Sequence, residues 1–324
     1  LIIMLSYLGW VSAQVTALGL VFNLLSGGTL SIPVGMAIGV VSILAYTLFG
    51  GMWSVAVTDF LQMIILVVGL VVLAWFAGDM AGGADKVIDL AVSRDLFQFW
   101  PEPSWHDILF FFGAAITMML GSIPQQDVFQ RMTSAKDEKT AVRGTVIGAL
   151  MYFVIAFIPL YIAYAALIAH PELKALFESE DARTIQRILP DLVLGKMPMW
   201  AQILFFGALL SAILSTASGA LLAPTATFTE NVLKPFVPHM SDRQFLLLLR
   251  VILVTFTSFA LLFALNSTST MYEMVQNAYN VTLTGAFVPL VAGAFWKRAN
   301  TQGALFSVVL GVGTWLVFNF FAPD

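Results

Sequence analysis

Long apolar runs follow one another along this chain so closely that no soluble domain fits between them. A helix needs ~20 apolar residues to cross a bilayer. About nine stretches qualify: residues 2–25, 30–49, 52–77, 107–123, 141–168, 199–228, 245–265, 271–296 and 304–321. Hydrocarbon offers backbone N–H and C=O groups no partner, so runs of this kind must be helices that satisfy themselves. Hydrophobic residues make up 59% of the chain and charged residues 10%, where soluble domains carry roughly 45–50% and about 25%. An all-α integral membrane protein is therefore expected, with residues 1–324 as a single transmembrane domain. Membrane sequence is already under way at Leu1, with no initiator Met, charged leader or cleavage site. The chain is expected to be an N-terminally truncated piece.

Charge sets the expected sidedness. Arg131, Lys136, Lys139 and Arg143 form one basic site, Lys234, Arg243 and Arg250 a second, and Lys297 with Arg298 a third. Cytoplasmic loops collect Lys and Arg, and all three sites fall on one side if the runs alternate. Residues 78–106, biased toward Asp, and residues 170–198 then face outward. The second of these loops should carry a short surface helix near 183–192. Gly50–Gly51, between two runs, are expected to form a tight cytoplasmic turn, because glycine tolerates positive φ.

Several function classes drop out. A net charge of −4, with the basic residues scattered in short loops, provides no basic face for nucleic acid. There is no cysteine for disulfide or thiolate chemistry. The histidines (His106, His170 and His239) are dispersed in loops and form no metal-ligand pair, so an enzyme is not expected.

Polar residues inside the apolar runs carry the chemistry. On run 199–228, Gly207, Ser211, Ser215 and Gly219 recur every four residues, and Ala212, Ser215 and Thr216 share one helix face. Such a stripe either lets helices pack closely or offers a cation hard oxygen ligands: the Ala212 carbonyl and the two hydroxyls. Asp59 lies inside a run, where an acid is costly unless paired or hydrated. It is either a helix-end group that reaches the headgroups or part of a cation path. The run ending at Ile123 meets Pro124, Gln125, Gln126 and Asp127, and Pro124 cannot continue a regular turn. A helix that breaks there exposes backbone dipoles of the kind transporters use for solutes. On run 271–296, Gln276, Asn280 and Thr284 share a face, as do Tyr7 and Gln14 on the first run. Hydrogen bonding between helices explains part of this polar content.

These motifs resemble the sodium/solute symporter family, which includes proline, sugar, iodide and choline transporters. ALLSAILSTASGALLAPTATFTE at 208–230 is similar to its signature helix. YTLFGGMWSVAVT at 46–58, continued by Asp59 and Gln62, is similar to its paired-glycine motif. IPQQDVFQRMTSAKDEKT at 123–140 and KRANTQGALFSVVLG at 297–311 match later segments in order. The resemblance implies a LeuT-like fold of two inverted five-helix repeats, with the first two core helices absent. It implies no cofactor, sodium as coupling ion and a small organic solute as partner, in the plasma (inner) membrane. Ala212, Ser215 and Thr216 then bind sodium, and Asp59 belongs to the cation pathway. Gln125, Gln126, Asp127, Gln276, Asn280, Tyr7 and Gln14 then serve the solute or its gate. Some relatives join such a domain to a signalling module, so a membrane sensor is the alternative.

Overall fold

The computed structural model describes residues 1–171, 186–237 and 239–321. Among them the structure is helical, with no strand: α1 (Ile2–Leu25), α2 (Ile32–Met80), α3 (Ala84–Ser93), α4 (Trp105–Gly121), α5 (Gln126–Thr133), α6 (Glu138–Ile155) and α7 (Phe157–Ala169) come first. After them come α8 (Ile188–Lys196), α9 (Met199–Phe228), α10 (Asp242–Asn266), α11 (Met271–Thr282), α12 (Val288–Phe295) and α13 (Thr301–Phe321). Among the described residues seven helices are long and apolar enough to cross a membrane, or eight if the bent pair α4–α5 is one span. About nine were expected. The difference lies in residues 30–49, whose described apolar helix, Ile32–Ala45, is shorter than a span. The expected surface helix near 183–192 is matched only over 188–192, by α8, which buries Ile188, Pro190, Leu192 and Val193. Residues 183–185 of the expected 183–192 lie outside the described residues.

α1 is the centre of the bundle. Tyr7, Val11, Val15, Leu18 and Val21 are buried along it, as expected of a helix that is apolar all round. Its buried hydroxyls tie it to its neighbours: Ser6 donates to the Ala278 carbonyl of α11 at 2.9 Å, and Ser12 to the Ala260 carbonyl of α10 at 2.9 Å. At the periphery, α6 and α13 bury no residue.

Helical backbone runs without interruption through the 49 residues of α2. Straight, it would measure about 73 Å, against ~30 Å of hydrocarbon. Its first half packs antiparallel to α1, with Gly35 beside Gly19 and Phe22, and Gly39 beside Leu18. Its second half packs antiparallel to α9: Asp59 meets Ser215, Gly69 meets Ala208, and Phe76 meets Trp200. Between its two apolar parts, Ile32–Ala45 and Val55–Met80, the helical backbone continues. Gly50–Gly51 stand in that interval. A tight turn was expected at these glycines, and the structure instead gives them helical backbone.

Two interruptions shape the site. α4 and α5 are bent by 40° across Ser122–Gln125, where Pro124 has no N–H to continue the ladder. The freed Gly121 carbonyl accepts the Thr282 hydroxyl of α11 at 2.7 Å. Past that hydroxyl, helix α11 passes through a π turn, Leu283–Phe287, before α12. Helix α6 is capped by Asp137, which accepts from the Thr140 amide at 2.7 Å. Hydrogen bonds from Thr140 hold this exposed carboxylate below its ordinary range. The stretch 78–106 holds an unforeseen helix, α3, whose Val87 and Ala91 are buried.

Candidate functional site

The break between α4 and α5 puts Gln125 at the N-cap of α5, with Gln126 and Asp127 in its first turn. Gln125 is buried. Asp127 accepts a short hydrogen bond from the Tyr7 hydroxyl, and its own amide donates back to that oxygen at 3.0 Å. A fully buried tyrosine of the central helix is therefore tied to the start of the broken segment.

One turn further along α5, Arg131 lies on the same face as Asp127. Its Nη1 donates to the Asp127 carbonyl at 3.1 Å and lies 3.8 Å from the Asp127 carboxylate. Its Nη2 donates to Asp59 Oδ2 of α2 at 2.7 Å. The other Asp59 oxygen accepts the Ser215 hydroxyl of α9 at 2.6 Å. A continuous polar chain results, Tyr7–Asp127–Arg131–Asp59–Ser215, and it joins four helices. Two carboxylates (Asp59 and Asp127) face one guanidinium (Arg131), which leaves one negative charge in excess.

The hydrogen bond from Ser215 has a chemical consequence. A hydroxyl has one proton and two lone pairs. With the proton committed to Asp59, the oxygen is left as a pure acceptor. Ala212, Ser215 and Thr216 are each half-buried on one face of α9, and the Thr216 hydroxyl engages no described residue. Two hydroxyl oxygens, a second lone pair on the Ala212 carbonyl and a nearby carboxylate form a hard-oxygen donor set, which suits an alkali cation.

Four of the residues expected from sequence (Tyr7, Asp59, Asp127 and Ser215) are thus brought into one network. Others are not. Ala278 of α11 faces α1, and Gln276 and Asn280, each two residues from it, lie some 160° around the helix from it. Neither their side chains nor that of Gln14 joins the network. Gln126 borders a separate cavity with Pro124, Phe129 and Gly285.

Two residues went unrecognised from sequence. Arg131 read only as a loop marker, although its spacing of four from Asp127 was the available signal. Trp10 packs edge-on against Tyr279, with ring centroids 5.3 Å apart. Its indole N–H is buried with no partner among the described residues. The small-residue stripe serves both packing and polar contact: Ala208 packs on Gly69, while Gly219 lies under the Arg131 guanidinium.

Comparison with known proteins points one way. A family model described as "Sodium:solute symporter family" matches residues 1–311. The chain is similar to the high-affinity proline transporter PutP of Bacillus subtilis (strain 168), at 28% identity over 98% of this chain and 66% of the relative. It is 25% identical to the human high affinity choline transporter 1, over 94% of this chain and 52% of that one. With the bovine sodium/myo-inositol cotransporter 2 the identity is 23%, over 87% and 47%. The chain spans about half the length of the last two. Among solved structures, a sodium-coupled sialic acid symporter in its substrate-bound outward-open state matches with a TM-score of 0.71 and 20% identity, covering 99% of this chain and 74% of that one. At that identity the likeness establishes the fold.

Proposed function

The chain belongs to the sodium:solute symporter family, and we propose that it forms most of the core of a secondary transporter that couples inward sodium flow to uptake of a small organic solute. Residues 1–324 form one transmembrane domain in this reading, in the plasma (inner) membrane. The three basic sites are inside, and residues 78–106 and 170–198 are outside. The observation that carries the reading is the excess negative charge of the Asp59–Arg131–Asp127 group, placed directly beside the oxygen ligands of α9.

Sodium from outside is held by the Ala212 carbonyl and the Ser215 and Thr216 hydroxyls. Asp59 accepts the Ser215 hydrogen bond and so orients the hydroxyl's lone pairs. Arg131 neutralises Asp59 while the inner path is closed; when the guanidinium leaves, the bare carboxylate gives the ion a next station. The solute occupies the region of the broken α4–α5 segment. There Tyr7, Gln125 and Asp127 present polar groups, and the unpaired indole N–H of Trp10 is free for a solute acceptor. Sodium drives the cycle only through its different affinity for the two conformations. Linkage requires the solute to tighten sodium by the same factor that sodium tightens the solute. No observation in the structure favours a sensor over a transporter.

The test is uptake by cells expressing the protein, with radiolabelled amino acids, carboxylates, sugars and quaternary amines offered in sodium and in potassium medium. Sodium-dependent accumulation of one class is expected. Equal accumulation in both media for every class would end the proposal.

Gly219 provides a specific check on Arg131. A Cβ at this position would stand 2.7 Å from Nη2 and 2.9 Å from Nη1 of Arg131. The guanidinium is the free end of a flexible side chain, so it would yield rather than the helix. Gly219→Ala should break the contact with Asp59 and reproduce the transport defect of Arg131→Gln. Thermal unfolding should move little, since a partly exposed ion pair contributes about 1 kcal/mol or less. Wild-type transport by Gly219→Ala beside a defective Arg131→Gln would separate Arg131's role from its bond to Asp59.

A further inference from the structure

The hairpin of α12 and α13 has a feature that transport does not use. From residue 274 to residue 323 the sequence contains no Asp or Glu, and its only charges are Lys297 and Arg298, at the bend. Neither forms an ion pair among the described residues. Beside them lies a groove of about 550 Å³, the size range of a drug-sized ligand site. Its walls are mixed in character. Arg298, Asn300 and Ser307 line it with polar groups, and Val288, Ala292 and Gly293 line it with apolar surface. Trp296, which also lines it, is 62% exposed, as are the aromatic residues that mark a membrane–water interface. On the adjoining face of α13, Leu305, Phe306, Val309 and Leu310 are all exposed. The groove therefore opens beside an exposed apolar surface.

We propose that this groove holds an anionic phospholipid, with its phosphate on Arg298 and its upper acyl chain along Val288, Ala292 and Gly293. Charge complementarity selects the headgroup: the hairpin has cations with no internal counter-ion, and a zwitterionic lipid brings no net charge to balance them. The apolar walls select a lipid over a soluble anion, which would leave them uncovered. Basic residues near the surface gain their hold on acidic lipids in just this way. The proposal needs only that the chain sits in a bilayer, so it stands or falls separately from the transport reading.

Native mass spectrometry of the detergent-purified chain, with phosphatidylglycerol and phosphatidylcholine of identical acyl chains, tests it. Phosphatidylglycerol should be retained over phosphatidylcholine by about fivefold, the ratio expected of one basic side chain at a membrane surface. Arg298→Gln should abolish that preference. A Cβ at Gly293 meets nothing within 4 Å, so Gly293→Leu should leave the fold intact, fill the groove and lower phosphatidylglycerol retention at unchanged charge. Arg143→Gln, at a distant basic site, should keep the preference. Equal retention of the two lipids, or a preference that survives Arg298→Gln, would overturn the proposal. So would undiminished retention by Gly293→Leu, which would leave charge without a groove. Displacement of the lipid by millimolar glycerol 3-phosphate would instead reveal a soluble-anion site and refute the lipid assignment.

Discussion

Ser215→Ala should raise the sodium concentration for half-maximal uptake at least tenfold, and Asp59→Asn should come close to the same value. The Ser215 hydroxyl donates to a carboxylate at 2.6 Å, and hydrogen bonds to charged groups contribute about 1.5–3 kcal/mol. At about 1.4 kcal/mol per decade, that range corresponds to roughly one to two decades in affinity. Alanine removes both the proposed sodium ligand and the hydrogen-bond donor. Asparagine keeps the size of Asp59, but it loses the charge that polarises Ser215 and faces Arg131 at 2.7 Å. Both substitutions act on one contact, so the double variant should fall well short of the product of the two effects. Thr216→Ala should lie between wild type and Ser215→Ala, because its hydroxyl is a candidate ligand with no charged partner. Sodium half-saturation within twofold of wild type for both Ser215→Ala and Asp59→Asn would remove this site from the mechanism. Independent effects that multiply would keep both residues but deny the coupling between them.

Apolar run length marked α1 and α9 to the residue, because hydrocarbon thickness dictates it and no other part of the chain competes. Pro124 announced the break in α4–α5 through its missing N–H, a purely local property. Tyr7, Asp59, Asp127 and Ser215 stood out as polar groups in apolar surroundings, and that too is local. Their joining was not visible. Asp59 reaches Ser215 across 156 positions and Arg131 across 72, and such pairings depend on where α2 packs and which face α9 presents. Arg131 was hidden by a correct rule, since a basic residue beyond a membrane run usually does mark a loop. Its side chain instead turns back to a carboxylate within the bundle. The amides of α11 show the opposite failure. Helical spacing grouped Gln276 with Asn280, but spacing cannot say that the face bearing Ala278 is turned toward α1. α3 escaped because its apolar face covers only three turns, too few to read as a span.

Gly35→Leu should destabilise the bundle more than any other glycine substitution at the seam between α1 and α2. A Cβ on Gly35 would stand 2.8 Å from the Gly19 carbonyl oxygen and 3.1 Å from the Gly19 Cα. On the other side, a Cβ on Gly19 would meet the Ile32 carbonyl oxygen at 2.9 Å. Both obstacles are backbone, so no rotamer change relieves them and the helices must part. Overpacking a tight core costs about 1–3 kcal/mol, and here the separation also pulls on Leu18, Val21 and Met36, which are buried beside the crossing. Gly313→Ala is the matched control. Nothing lies within 4 Å of its added Cβ, and alanine is the better helix former by about 1 kcal/mol, so stability should hold or rise. Thermal unfolding in detergent, followed by helical circular dichroism, reads both variants. A marked fall in unfolding temperature for Gly35→Leu alone would place the α1–α2 contact among the interactions that hold the bundle together. Equal behaviour of the two variants would mean that α1 is held by its hydroxyl bonds to α10 and α11 rather than by close approach to α2. The distinction matters for transport, because a seam built on backbone contact moves as one rigid body, and α1 would then carry Tyr7 and the first half of α2 with it.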